Sequence, residues 1–153
     1  LGEFNRNGIG ISADIQKAFE LYQKAANLGN ADGIYNLGMC YEDGIGTRIN
    51  KQKAFELYQK SINLGNVNGI NNLGHCYEKG IGTRIDKQKA FELYQEAANL
   101  GNSTAQYNLA NLYEEGDGIK KFINKAIYWY EKSAEQGDKD AQIKLATLKN
   151  NFL

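Results

Sequence analysis

Proline is absent from all 153 residues, and with it the commonest breaker of helices. Histidine occurs once, at His75, so no Ser–His–Asp relay can be assembled, and no carboxylate or cysteine set stands at ligand spacing around it to hold a metal. Charge of either sign is not in excess: 18 basic and 18 acidic residues cancel. That speaks against binding nucleic acid by neutralising phosphates and against a polybasic membrane anchor. No apolar run approaches the roughly 18 residues that a bilayer span needs. No signal-peptide pattern opens the chain, and it starts at Leu1 without an initiator Met, so it is expected to be part of a longer polypeptide. Disorder is excluded too, because 42% of the residues are apolar, enough for a packed core.

Repetition is abundant. "YEDGIGTRINKQKAFELYQK" at 41–60 returns as "YEKGIGTRIDKQKAFELYQE" at 77–96, 36 positions on. Segments 33–68 and 69–104 are identical at roughly three quarters of their positions. Copying one surface does nothing for catalysis. It suits units that cannot bury their apolar faces alone and must stack on one another. The boundaries read as one array over 1–153: a truncated unit 1–32, repeats 33–68, 69–104 and 105–140, and a terminal helix 141–153.

Each period holds two helical patterns. In 51–65, Ala54, Phe55, Leu57, Tyr58, Ser61, Ile62 and Leu64 recur at spacings of three and four, so helix is preferred to strand. Asp14, Asn50 and Asp86 stand where an N-cap is wanted, and Gly29, Gly65, Gly101 and Gly137 where a left-handed residue closes the helix. The partner helix, about 68–79 in its second copy, is predicted to end at Gly80, as at Gly8, Gly44 and Gly116. Gly38, Gly74, Ala110 and Ala146 share one register position and would let paired helices approach closely.

The chain resembles the Sel-1-like repeat, a relative of the tetratricopeptide repeat with a longer loop between its helices. The residues that carry the likeness are Ala105, Leu109, Ala110, Tyr113, Gly116 and Gly118, then Ala126, Trp129, Tyr130, Ala134 and Gly137. Gly33 and Gly69 depart from the usual Ala, at about 1 kcal/mol each in helix propensity. Phe122 replaces a capping acid, so the third long loop is expected to run differently, and Asn5 replaces a Tyr. The resemblance implies an all-α, right-handed solenoid of antiparallel helix pairs that binds protein partners and is not an enzyme. It also leaves open a regulatory array attached to a protein kinase, and an adaptor in a membrane-protein degradation complex. The last would need secretion and use of the Asn102-Ser103-Thr104 sequon.

Other chemistry reads as structural. Cys40 and Cys76 share a register position with Phe4, Leu112 and Leu148, which makes it a core position, and one cysteine per repeat differs from the paired cysteines of the family's cysteine-rich branch. Reduced thiols fit a cytoplasmic setting, with the ER lumen as the alternative. "DGIGT" lacks phosphate-loop spacing and does not follow a strand, so it serves to end a helix. Lys149 and Phe152, where the repeat wants Tyr and Gly, mark a terminating helix.

By likeness to the tetratricopeptide relatives, the first helix of each pair would line a concave face. Its exposed positions would be Tyr35, Asn36, Met39, Glu42 and Asp43, then Asn71, Asn72, His75, Glu78 and Lys79. The third set would be Tyr107, Asn108, Asn111, Glu114 and Glu115, and the last Ile143, Lys144, Thr147, Asn150 and Asn151. Asn36, Asn72 and Asn108 form a sequence ladder of amides, each able to donate and accept along an extended peptide. Acids on these helices (Asp32, Glu42, Asp43, Glu78, Glu114, Glu115, Asp140) outnumber Lys79 and Lys144, while the other lysines gather on second helices. The expectation is a protein or peptide partner carrying Lys or Arg, anchored by Tyr35 and Tyr107. No cofactor, nucleic acid, membrane insertion or small-molecule substrate is expected.

Overall fold

Eight α-helices and no strand make up the described residues of the computed structural model, which covers residues 2–152 with side chains from Asp14 to Asn150. The helices are α1 (Gly2–Asn27), α2 (Ala31–Asp43), α3 (Lys51–Ile62), α4 (Val67–Lys79), α5 (Lys87–Asn99), α6 (Ser103–Glu115), α7 (Ile123–Glu135) and α8 (Lys139–Phe152). Two compact units result. Unit 1 runs to Gly69 and takes in Ile81–Thr83; unit 2 comprises Ile70–Gly80 and the chain from Arg84 onward.

Two kinds of linker alternate, and local chemistry dictates both. In the short linkers a left-handed glycine, such as Gly65 at φ 86°, is followed by an N-cap. The caps are Asn30, Asn66, Asn102 and Asp138. Their side-chain oxygens accept from the amides of Gly33, Gly69, Ala105 and Ala141 at 2.7, 2.8, 2.8 and 2.9 Å. One orphan donor of each helix is thereby satisfied.

The longer linkers, 44–50, 80–86 and 116–122, open on a left-handed glycine at φ 73–75°. They close when the amides of Asn50, Asp86 and Phe122 bond the carbonyls of Tyr41, Tyr77 and Tyr113 at 2.7, 2.9 and 2.8 Å. Asn50 and Asp86 then cap the next helix through Lys53 and Lys89 amides, both at 3.0 Å. Phe122 makes no side-chain cap, yet its backbone (φ −142°, ψ 91°) matches that of Asn50 (φ −144°, ψ 88°). The third loop therefore does not run differently. The bond to the Tyr113 carbonyl holds it, and the Phe122 ring packs edge-on against Tyr113.

A second glycine in these loops is set by close approach. A Cβ on Gly46 would lie 2.6 Å from the Cβ of Phe19 and 3.0 Å from the Ile15 carbonyl, because the loop rests directly on α1. The sequence expectation fails at α1. The repeat register predicts a helix end at Gly8 and a cap at Asp14, but α1 passes through both positions without a break. The side chains of Phe4, Asn5 and Asn151 lie outside the described residues.

The core of each unit is built where first and second helices meet. Tyr58, Tyr94 and Tyr130 are fully buried, as are Ile34 and Leu109, and Cys40 and Cys76 are 2% and 0% exposed. Gly38 and Gly74 receive tyrosine rings: a Cβ on either would come within 2.9 Å of Tyr58 or Tyr94. Ala110 is fully buried at the same register, while Ala146 is exposed. Gly33 is more than a loss of helix propensity. Its missing side chain admits Ala25, whose Cβ would sit 2.5 Å from a Cβ at 33.

Replacing Gly74 by Leu should cost about 1–3 kcal/mol or more by driving the side chain into the Tyr94 ring, read as a lower urea midpoint at unchanged slope. Neither thiol is in a disulfide and both are buried; burial, with the charge of Asp43, pushes the Cys40 thiol up. Both should react slowly with a thiol reagent in the folded protein and quickly in denaturant; fast native labelling would contradict their core placement.

Candidate functional site

Each second helix presents its buried tyrosine hydroxyl to a glutamate 16 residues earlier, on the first helix of the same pair. Tyr58 donates to Glu42 at 2.6 Å in unit 1. In unit 2, Tyr94 donates to Glu78 at 2.7 Å and Tyr130 to Glu114 at 2.6 Å. A lysine completes two of these groups: Lys79 lies 2.7 Å from Glu78, and Lys144 of α8 lies 2.9 Å from Glu114. Burial alone would raise the carboxyls of Glu78 and Glu114. The hydroxyl and ammonium donors outweigh it and hold both below the usual range. Burial, then the adjacent carboxylate, pushes the Tyr94 and Tyr130 phenols up, so they stay protonated donors.

Amides fill the space beside these pairs. Asn108 donates to Asn71 at 3.1 Å, and Asn71 donates to Asn72 at 3.2 Å. The amide ladder of unit 2 is thus Asn108–Asn71–Asn72, with Asn71 only 7% exposed rather than open to a ligand. It forms because α4 and α6 bring these registers side by side. Asn36 of α2 bonds the Asp32 carbonyl of its own helix at 2.9 Å. The Tyr130 hydroxyl stands 2.5 Å from Oδ1 of Asn111 while donating to Glu114. With one proton to give, it serves the carboxylate, and the Asn111 amide turned over would donate to it.

A polar cleft of about 240 Å³ opens in unit 2, lined by His75, Glu78 and Lys79 of α4 and by Asn108, Asn111, Leu112 and Glu115 of α6. It gathers His75, Glu78, Asn108, Asn111 and Glu115 from the sequence candidates. Asn71, Asn72, Tyr107 and Glu114 lie outside its lining; Tyr107 packs on the Tyr130 ring at 5.7 Å. In unit 1, Tyr35 packs on Tyr58 at 5.9 Å, Glu42 is held by Tyr58, and Asp43 is exposed. Asn36 and Met39 border a separate, apolar cleft beside α1.

Sequence reasoning missed that Glu42, Glu78 and Glu114 bond their own tyrosines. The signal was present, since the Glu–Tyr spacing of 16 recurs in three repeats. Among the described residues no group of three or more His, Cys, Asp or Glu is placed to hold a metal, and no helix is long and apolar enough to cross a membrane.

A family model described as the Sel1 repeat matches residues 1–30, 31–66, 67–102 and 103–138. Among solved structures, the chain is similar to a protective antigen of uropathogenic Escherichia coli strains displaying an SLR fold. The two are 35% identical over 90% of this chain and 30% of the other, with a TM-score of 0.84. A Sel1 repeat protein from Oxalobacter formigenes is 30% identical over 95% of this chain and 60% of its own, with a TM-score of 0.81. Helicobacter pylori cysteine rich protein B is 30% identical over 86% and 94%, with a TM-score of 0.65. This chain therefore spans less than two thirds of the first two. No curated protein sequence matches it.

The carboxylate pKa directions set a pH dependence. Folding lowers Glu78 and Glu114 from 4.5, so the native state releases protons that the unfolded chain still holds. Their contribution should be complete above 4.5 and lost as pH falls through the lower folded values. Chemical denaturation across this range should show it, with a shallower acid loss in Glu78→Gln with Glu114→Gln. Tyr94→Phe should cost about 1–3 kcal/mol at neutral pH by leaving Glu78 without its hydroxyl donor.

Proposed function

Because the chain belongs to the Sel1 repeat family, whose members serve as protein-interaction scaffolds, we propose that it is a non-enzymatic scaffold holding an extended segment of a protein partner in the α4–α6 cleft of unit 2. The observation that carries this reading is the chemistry of that cleft. Imidazole, amide and carboxylate groups converge there over the buried Leu112, and amides can meet both the N–H and the C=O of an extended peptide. The cleft also lies where near-identical repeats diverge. The register that holds His75 and Asn111 holds Met39 in α2, although the flanking residues 41–60 and 77–96 are nearly the same.

Charge narrows the partner. Of the acids on α4, α6 and α8, Glu78 and Glu114 are engaged by lysines and tyrosines, while Glu115 stands exposed at the rim. A partner segment with a single Lys or Arg beside polar backbone suits this better than a polybasic tract. One rim carboxylate adds modest, salt-sensitive attraction, and the amides supply register.

Linear peptides selected from a random library on the purified chain provide the probe. Their dissociation constants should rise about tenfold with Glu115→Lys and with His75→Met, which installs the sister repeat's own residue, while the unfolding midpoint stays constant. Selected peptides that bind both variants as tightly as the parent would remove this cleft from the interface.

A further inference from the structure

The outer register of the second helices carries a solvated pair in three copies. Gln16 donates to Glu20 on α1 at 3.5 Å, Gln52 to Glu56 on α3 at 3.1 Å and Gln88 to Glu92 on α5 at 2.9 Å. On α7 the same two positions hold Asn124 and Tyr128. Tyr128 is 51% exposed and meets the Trp129 ring edge-on at 5.0 Å. Glu20, Glu56 and Glu92 are exposed as well, so this exposure belongs to the register and not to the place of α7 in the chain. At the start of the same helix, Phe122 stands where Asn50 and Asp86 cap theirs, and it is 41% exposed. A single exposed aromatic is ordinary, but here two replace polar residues on one helix. Lys125 lies three residues from each, with its ammonium 5.2 Å from the Phe122 ring.

Positive charge gathers around the same rings. Lys120 stands over Phe122 at 5.3 Å, and Lys121 takes the place of Ile49 and Ile85. Among the described residues Lys120, Lys121 and Lys125 form no ion pair with a carboxylate, and Lys121 acts on Glu114 only at longer range. The neighbouring charges are matched within the fold: Lys87 with Asp117 at 2.6 Å, Lys132 with Glu135 at 3.0 Å and Lys149 with Glu131 at 3.1 Å. Three such cations beside two exposed rings suit an anionic partner with apolar content. We propose that Lys120–Phe122 and the outer face of α7 form a docking surface for an acidic segment of a partner protein. Its carboxylates meet the three lysines, and a leucine or aromatic side chain seats between Phe122 and Tyr128. A broad polyanion, such as a lipid bilayer or a nucleic-acid backbone, would also meet Asp117, Glu131 and Glu135, which flank the lysines in sequence. A narrow segment avoids them. The surface shares no residue with the α4–α6 cleft.

Trp129 is the only tryptophan, so its emission reports on this face directly. Random linear peptides are selected on the parent chain and counter-selected against Tyr128→Glu, which installs the residue of the three sister helices. The surviving peptides should be rich in Asp and Glu around a leucine or an aromatic residue, and should shift Trp129 emission to shorter wavelength. Their affinity should fall with added salt, and about tenfold with Lys120→Gln and Lys125→Gln together. Both lysines are exposed, so this second variant keeps the test sound if Tyr128→Glu alters stability. His75→Met should leave the same dissociation constants unchanged, which separates this surface from the cleft. No survivors, survivors without an acidic excess, or saturation that leaves Trp129 emission unaltered would overturn the proposal. So would tighter, lysine-dependent binding of phosphatidylserine vesicles or of single-stranded oligothymidylate, which would put a membrane or a nucleic acid on this face.

Discussion

One contact organises the pairs α2–α3, α4–α5 and α6–α7: a buried tyrosine whose hydroxyl bonds a glutamate of the first helix, its ring laid in the first two on a glycine one turn before that glutamate. The ring needs a small residue beneath it, which is why Gly38 and Gly74 have no room for a Cβ. The hydroxyl cannot be buried without an acceptor, and the half-buried carboxylate cannot be left without donors. Each requirement answers the other. The pair fixes both the closeness of the two helices and their register along the axis, which apolar packing alone would leave free to slide by a turn. Helices of 12 or 13 residues are marginal by themselves, so this tertiary lock and the linker caps together account for their persistence.

The linkers show how little sequence such a lock requires around it. A left-handed glycine followed by an Asn or Asp cap turns the chain in three or four residues. The longer loop turns it in seven, with two glycines and one amide-to-carbonyl bond. That bond explains why Phe122 can replace a capping residue without changing the loop path. The side-chain cap contributes, but the backbone bond to the tyrosine three residues before the glycine carries the geometry.

Much of the fold was legible because the period is exact enough to align functionless positions as well as functional ones. Helix ends at Gly65, Gly101 and Gly116, caps at Asn50 and Asp86, the core place of the cysteines and the small residues at 38, 74 and 110 all follow from types that recur for a local steric reason. Less was legible where a residue's role depends on another repeat element. A glutamate on an amphipathic helix looks like solvent-facing charge until its tyrosine, 16 residues on, is placed beside it. Asn71 looked exposed because helical phase alone cannot say that Asn108 of the next first helix closes over it. Likewise the acids counted on first helices overstated the free charge of unit 2, since two of them are already neutralised within the fold.

That internal neutralisation bears on how such an array can change its partner without losing its structure. The register holding the small residue reads Gly, Gly, Ala, Ala, and the glutamate register reads Glu, Glu, Glu, Asn, the last on α8, where no tyrosine follows. The register immediately after the small residue reads Met39, His75, Asn111 and Thr147, different in each copy. Helical geometry separates these neighbours by about 100°, so the locking residue points into the helix pair while the next one turns away from it. In unit 2 that turn delivers His75 and Asn111 to the same cleft. Substitution at this register leaves the tyrosine ring, its small-residue seat and its carboxylate acceptor in place. A change of side chain there alters what the cleft can recognise at little cost to stability, and this register is one of those at which otherwise copied repeats differ.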